Sequence, residues 1–585
     1  MSPRVNRSAA LRARPVPSLP EGMSAGDVRG VVEEWIGGLA EVGDRPLILI
    51  VGAALFVLAA WPLFLVQVPP YQDLPNHLAT ATVIEHRALY PELVFNGWFK
   101  TNGALFAWLG VVGPAVGLQT AAKLFALGVL AVTALALPWF LLEMVGRRRM
   151  LVASLFAWPM IHNWFVSTGM LDFALAVPLA LVTLIYLRRH LVAPSGRHVA
   201  GVIVASVGTW YAHSFPLLVI EGLVGIHLAE EAIRRLRGRG THPFAVTLRR
   251  LAIPMIPALV LSSYALFLHL TEPGGAMNAF RDRAHFLPTW ELVYNLWAEW
   301  MWGYTKLSIS SMVPTALLAL WVAYGAWRHL RPTGAEEGVA SPPHFFSPFA
   351  LAAILAVYAV APYELTNWYH VNSRLIPFFW IALLVRVPDA LPRAVKGLLV
   401  TAALAYSAGM GVDTVRLDRE RDEFTAGMSA VPENARLLPL VFRAKHTSEN
   451  TRNLLHAWGY YVAEKHTSAP LLFAHSRSFP VMYATPPSVR MNHLMLEGYE
   501  QVMGSPGWVC GELHQFGVGV NDCAAEYRAR WREFWGEVGP IHTHLLLWDA
   551  TKAVLENVPA DYKLTLVRGR LRIYERMPSA SASVP

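Results

Sequence analysis

The stretch richest in groups that could do chemistry is VPPYQDLPNHLATATVIEHRALYPELVF, residues 68–95, directly after an apolar run at 46–66. Pro75 suits the first turn of a helix, and no Gly or Pro follows before Pro91. Asp73 then stands at the mouth of a helix, with His77 about one turn on. A carboxylate at a membrane surface beside an imidazole can take the proton of an incoming hydroxyl. The plainer alternative is that Asp73 only caps the helix, since Asp is a favoured N-cap residue.

A second group lies in YELTNWYHVNSRLIPFFW, residues 363–380, between two apolar runs. Apart from His370, Arg374 is its one basic residue, and a guanidinium there could pair bidentately with a lipid phosphate. The alternative is an arginine that snorkels to the headgroups alongside Trp368 and Tyr369. His162, Asn163, Asp172, His213 and Glu221 attract notice because polar groups near membrane depth are costly. A histidine at a tight turn, such as His213, reads as a satisfied structural group, whereas Glu221 needs a partner. In the aromatic-rich loop 271–304 the Trp and Tyr residues read as an interfacial belt, and Arg281 and Arg283 could contact an anionic headgroup. Cys510 and Cys523, the only two cysteines, are expected to pair if they face an oxidising compartment. His514, four residues from Cys510, and His542 and His544, alternating along a strand, lack a fourth ligand at zinc-site spacing.

These groups need elements to hold them. Of the 585 residues 54% are hydrophobic and 15% charged, against about 25% charged in soluble chains, which implies a polytopic membrane protein. The apolar runs lack the alternation of a barrel, so the spans are helical. The net charge of +8 comes largely from short Arg clusters between apolar runs, which fits positive-inside topology better than nucleic-acid binding. No nucleic-acid partner is expected.

The basic clusters fall near 147–149, 188–197, 234–250, 328–331 and 386–396. Placing all of them on the cytoplasmic side leaves two crossings between each neighbouring pair: 150–166 with 172–187, 199–213 with 216–233, 250–270 with 310–328, and 347–362 with 375–387. With 46–66, 119–143 and 397–411 the total is eleven spans. Residues 103–117 become an interfacial helix within a first outer loop, 67–118. Residues 1–45 read as a cytoplasmic tail, 46–411 as the membrane domain, and the charge-rich 412–585 as an extracytoplasmic soluble domain. That last part is expected to be mixed α/β, with a strand at 543–550, a hairpin at 562–576 turning at Arg568-Gly569, and helices at 449–465 and 523–537. The expected location is the cell's inner (plasma) membrane.

YQDLPNHLATA resembles the first-loop pattern of the GT-C superfamily, integral-membrane glycosyltransferases that use polyprenyl-phosphate sugars. TAAKLFALGVLAV (120–132) is similar to the start of that superfamily's second span, and VNSRLIPFFW to the Arg-bearing top of a late span. By layout the resemblance covers residues 46 to about 411. It implies a polyprenyl-phosphate-linked sugar donor, a glycan, lipid or protein acceptor, and inverting transfer. Asp73 would be the general base with His77 beside it, and Arg374 would neutralise the departing phosphate. On this reading His370, Lys123, His213, Asp172, Arg281 and Arg283 would also contact substrate. Many members carry two adjacent acids in the first loop, whereas Gln72 and Leu74 flank Asp73 here, which argues against a bound divalent metal. Two other readings suit the composition: a transporter or lipid flippase, and a non-catalytic assembly protein for envelope polymers. The first usually shows internal symmetry and polar groups at midplane. Here no repeat is visible, and the polar groups gather at the outer ends of the runs.

Overall fold

The computed structural model describes residues 42–238, 243–270, 284–330, 345–365, 369–442, 448–474, 479–485, 503–515 and 522–577. Contacts divide the chain into Met1–Ile50 and Val51–Pro585, and the architecture below is that of the second unit. The proposed tail lies almost wholly outside the described residues.

Each of the eleven apolar runs is helical. In chain order the helices are α1 (Asp44–Ala60), α2 (Leu74–Glu85), α3 (Ala104–Val116), α4 (Leu118–Val145), α5 (Arg147–Ala157), α6 (Leu171–Val192), α7 (Gly196–Ala212), α8 (Ser214–Leu236), α9 (Phe244–Leu270), α10 (Thr289–Ala298), α11 (Met312–Leu330), α12 (Pro348–Val360), α13 (Ile376–Leu384) and α14 (Arg393–Thr425). Among the described residues seven helical stretches are long and apolar enough to cross a membrane: Asp44–Leu65, Leu118–Val145, Arg147–Ser167, Leu171–Val192, Phe244–Leu268, Lys306–Tyr324 and Arg393–Ala430. The helices α7, α8, α12 and α13 do not meet that mark. With 13 residues, α12 extends about 20 Å against a hydrocarbon layer of roughly 30 Å. The chain is a helical polytopic membrane protein.

Among the described residues, members of four of the five basic clusters lie at one end of the bundle. Arg188 and Arg189 both bind Glu143, at 2.7 and 3.0 Å, and Arg149 binds Asp389 at 2.8 Å. Arg250 donates to the Leu191 carbonyl and Arg386 to that of Phe346, both at 2.9 Å.

The last helix does not stop at 411 but runs on to Thr425. Beyond it, four of the eight strands among the described residues form one sheet. The strands are β1 (Leu93–Phe95), β2 (Ala284–His285), β3 (Glu364–Leu365), β4 (Leu437–Val441), β5 (Val481–Tyr483), β6 (His544–Trp548), β7 (Tyr562–Arg568) and β8 (Leu571–Arg576). The sheet has the order β4-β6-β8-β7, parallel between β4 and β6 and antiparallel elsewhere, with Leu438 opposite Leu545 and Leu545 opposite Tyr574. The expected hairpin and the strand at 543–550 are both present, and a disulfide joins Cys510 to Cys523. It ties α15 (Pro506–Gln515) to α16 (Cys523–Val538).

Three expectations need correction. The core of residues 412–585 is not separate from the rest of the chain, because it takes in residues of the loop after α1. Ala79, Val83 and Ile84 of α2, with Tyr90 and Leu93, are buried among Leu438, Leu440, Trp458, Trp531, Leu545 and Leu547. Strand β1 also pairs with β5, Val94 standing opposite Met482. The apolar face of α2 is matched by the sheet region, and each buried Val or Ile contributes about 1.5–3 kcal/mol. Second, 449–458 is a run of turns, and only Gly459–Lys465 is helical. Asn450 Nδ2 donates to the carbonyls of Ala298, Trp302 and Gly303, and Ser448 Oγ donates to that of Tyr304. Such bonds compete with a helix. Third, the aromatic belt is partly interior. Trp290 is 68% exposed, but Trp297, Trp300, Trp302 and Tyr304 are buried, with Trp297 and Trp302 stacked 4.8 Å apart.

Candidate active site

Asp73 occupies the N-cap position of α2 with φ −91° and ψ −12°, yet its side chain makes no capping bond. The capping alternative therefore fails. Its backbone is pinned instead: Gln72 N–H donates to the Ser167 carbonyl at 3.3 Å and Asp73 N–H to that of Thr168 at 2.9 Å. Gly169 closes this turn with φ +84°, and a Cβ there would lie 2.9 Å from the amide nitrogens of Asp73 and Leu74. Only glycine fits both demands.

With its backbone fixed, the Asp73 carboxylate is 7% exposed by residue. Its Oδ1 accepts from Gln72 Nε2 at 3.2 Å and meets His456 Nδ1 at 3.0 Å. Since Asp73 is ionised, Nδ1 carries the hydrogen. Gln72 Oε1 in turn accepts the Arg452 N–H at 2.8 Å. The 448–465 segment therefore grips the start of α2 from the side. Asn76 adds to the grip, donating to the Leu471 carbonyl and accepting the Phe473 N–H. A Cβ on Gly459 would run into the Pro75 carbonyl, so the two backbones touch there.

Burial pushes the Asp73 carboxyl up, but the hydrogen bond and charge of His456, with a smaller pull from His77, bring it below its ordinary value. Burial holds His77 down at about 4, against the opposing pull of Asp73. Near neutral pH the site thus holds a carboxylate beside a neutral His77. The His77 ring hydrogen-bonds the Gly169 backbone and meets Phe106 edge-on at 5.4 Å. The hydrogen-bonding imidazole of Asp73 is His456, and His77 is a second-rank neighbour.

Arg374 sits in the 3-10 turn Asn372–Leu375 and is only 7% exposed, which rules out snorkelling. The turn is held by Glu299. Its carboxylate accepts from Ser373 Oγ and from Tyr363 OH at 3.0 Å, and His370 Nδ1 lies 3.2 Å away. His370 adopts φ +58°, and its ring meets Trp164 at 4.7 Å. Trp164 belongs to the same short helix, Trp164–Ser167, that leads into the turn under Asp73. It also donates through its ring nitrogen to the Asn450 carbonyl at 3.0 Å. The Asp73 and Arg374 regions are therefore joined through Trp164. Arg452 is half-buried and is an electrostatic neighbour of Tyr363.

The other residues expected at the site make bonds within the protein. Asp172 Oδ1 accepts the Leu105 N–H at 2.9 Å and the Asp172 carboxylate also takes that of Ala104, so it caps α3. His213 Nδ1 accepts the Phe215 N–H at 3.1 Å and caps α8, with Arg374 as an electrostatic neighbour. Lys123 donates to the Val66 carbonyl at 2.7 Å. Glu221 finds its partner in Ser262 at 2.9 Å. Arg281 and Arg283 lie outside the described residues. Among the described residues no group of three or more His, Cys, Asp or Glu is placed to hold a metal ion. Cys510 is oxidised, and His542 is bonded to the Val538 carbonyl at 3.0 Å.

His456, Gln72, Arg452 and Glu299 were not singled out in the sequence. A lone acid inside the aromatic run NLWAEWMW was a readable signal for Glu299. His456 offered none, being 383 residues from Asp73.

No protein-family model matches the chain, and no curated protein matches it by sequence. Among solved structures it is similar to ArnT from Cupriavidus metallidurans in the apo state, at 11% identity and a TM-score of 0.44, covering 93% of this chain and 98% of that one. It is also similar to the same protein bound to undecaprenyl phosphate, at 11% identity and a TM-score of 0.42, covering 92% and 99%.

Proposed function

We propose that this chain is a membrane glycosyltransferase that moves a sugar from a polyprenyl-phosphate donor to a hydroxyl acceptor on the extracytoplasmic face. The observation that carries the reading is Asp73: a buried carboxylate, kept ionised, and not engaged in capping the helix it precedes. In the proposed step the acceptor oxygen attacks the anomeric carbon from the side opposite the phosphate. The new C–O bond forms as the bond to the phosphate oxygen breaks, the acceptor proton passes to Asp73, and the lipid phosphate leaves with the bonding pair. One displacement inverts the anomeric centre. Arg374, buried and steadied by the turn that Glu299 holds, supplies the planar donors that suit a departing phosphate.

Undecaprenyl-phosphate sugars are the first donors to try. The full chain in lipid vesicles, offered a panel of them with an envelope extract as acceptor, should release lipid phosphate. Asp73→Asn should slow that release by about 10²–10⁴-fold while the protein stays inserted. Release at the wild-type rate by this variant would sink the reading. An impermeant thiol reagent should label a cysteine placed at Gln72 from outside intact cells, and labelling only after permeabilisation would reverse the orientation.

A further inference from the structure

The partner of Asp73 comes from the far end of the chain, and this suggests a role for the C-terminal part that goes beyond stability. We infer that His456 is a positioning residue for Asp73: its Nδ1–H holds the carboxylate in one orientation, and so the 448–465 segment makes the outer site competent. The inference rests on the reading of Asp73 as the base.

The geometry supports it from several sides. His456 is buried, its Nδ1 lies 3.0 Å from Asp73 Oδ1, and its ring is set edge-on against Phe473 at 4.8 Å. Phe473 is itself tied to α2, because its N–H donates to Asn76 Oδ1 at 3.3 Å. The imidazole is thus fixed by the same segment pair that fixes its target. On the opposite side the Ser167–Gly169 turn meets Asp73 through backbone groups, and Gln72 supplies an uncharged amide. Arg452 reaches the cluster through its backbone N–H on Gln72. Among the described residues the titratable groups that act on Asp73 are His456 and His77. Of these His77 hydrogen-bonds the Gly169 backbone, which leaves His456 as the histidine hydrogen-bonded to the carboxylate. A hydrogen bond to the ionised form favours it over the protonated form.

The test reads the carboxyl directly. In a difference infrared titration of the full chain in vesicles, the carboxyl band missing from Asp73→Asn reports Asp73 alone. His456→Phe keeps a ring of similar shape but removes the donor, and should move that titration up by at least about one pH unit, tenfold in the protonated fraction at a given pH. His456→Asn, whose amide nitrogen stands close to where Nδ1 was, should restore most of the wild-type value. A titration unchanged in His456→Phe would overturn the inference. If that variant does not fold, ¹⁵N-histidine spectra of the wild-type protein decide. The His456 Nδ1 signal, identified by its loss in His456→Asn, should move in Asp73→Asn, and a signal that stays put would equally overturn the inference. Because neither readout needs a sugar donor, failure here is distinguishable from failure of the glycosyl-transfer reading.

Discussion

Asp73 and Asp172 are alike in type and burial, each 7% exposed and each next to the start of a helix. Their partners separate them. Asp172 stands in the first turn of α6, where the helix dipole favours a negative charge, and its carboxylate accepts the N–H groups of Ala104 and Leu105 at the start of α3. It joins two helix ends and works as a structural cap. Asp73 occupies a cap position yet caps nothing, its Oδ1 shared between the side chains of Gln72 and His456. Burial alone does not mark a reactive acid. What the carboxylate is bonded to does.

The sharpest way to break this comparison is to remove each acid in turn. Asp73→Asn should lower lipid-phosphate release by about 10²–10⁴-fold with little change in thermal stability. Asp172→Ala should do the reverse, losing about 1–2 kcal/mol of stability with the rate of the surviving folded protein within a few-fold of normal. If the two variants exchange behaviours in paired rate and melting measurements, the distinction is wrong.

Gly169→Ala should follow. It adds a Cβ where φ is +84° and the Asp73 and Leu74 amides stand 2.9 Å away, so the backbone under Asp73 must shift. A rate loss of at least about tenfold is expected, since a displacement on the order of 1 Å at a reacting group can cost about 10²-fold. The matching change at Gly196, where a Cβ meets nothing within 4 Å, should leave the rate alone.

The remaining predictions concern the C-terminal part. Replacing Cys510 and Cys523 by Ser should cost up to about 3 kcal/mol of stability, with no change in transfer at temperatures where the chain stays folded. Acid should weaken the same region. Burial holds His542 down at about 4, below its ordinary 6.5. Between those values the unfolded chain binds the proton and the folded chain does not, so stability is full above about pH 6.5 and falls as the pH drops towards 4. The loss is about 3–4 kcal/mol at most, and a melting series from pH 7 to 4 with His542→Asn as control measures it. A flat series would show that His542 accepts its proton in place.

Much of this was legible before the structure. Asp73, the helix after it, the helical runs, the gathering of basic clusters at one end and the Cys510–Cys523 pairing all follow from local pattern. Hydropathy, proline placement and charge clustering act over stretches of some twenty residues, so a sequence displays them directly. The unity of the loop after α1 with the C-terminal part was not legible. Val83 and Ile84 of α2 show an apolar face, but nothing in their spacing names Leu438 or Leu545 as its cover. Reading 449–465 as one helix failed for the same reason: Asn450 answers to carbonyls at 298–303, far outside any local window.

The sequence by itself therefore determined that this chain is a helical membrane protein with a carboxylate at the mouth of a helix that follows its first apolar run. Tertiary structure alone decided which histidine that carboxylate meets, that Asp172 and His213 cap helices, and that Glu299 holds the turn bearing Arg374. Helix formation and membrane partition are set by neighbours along the chain. The state of a buried charge is set by whatever the fold packs within hydrogen-bond reach, and for Asp73 that group lies 383 residues away.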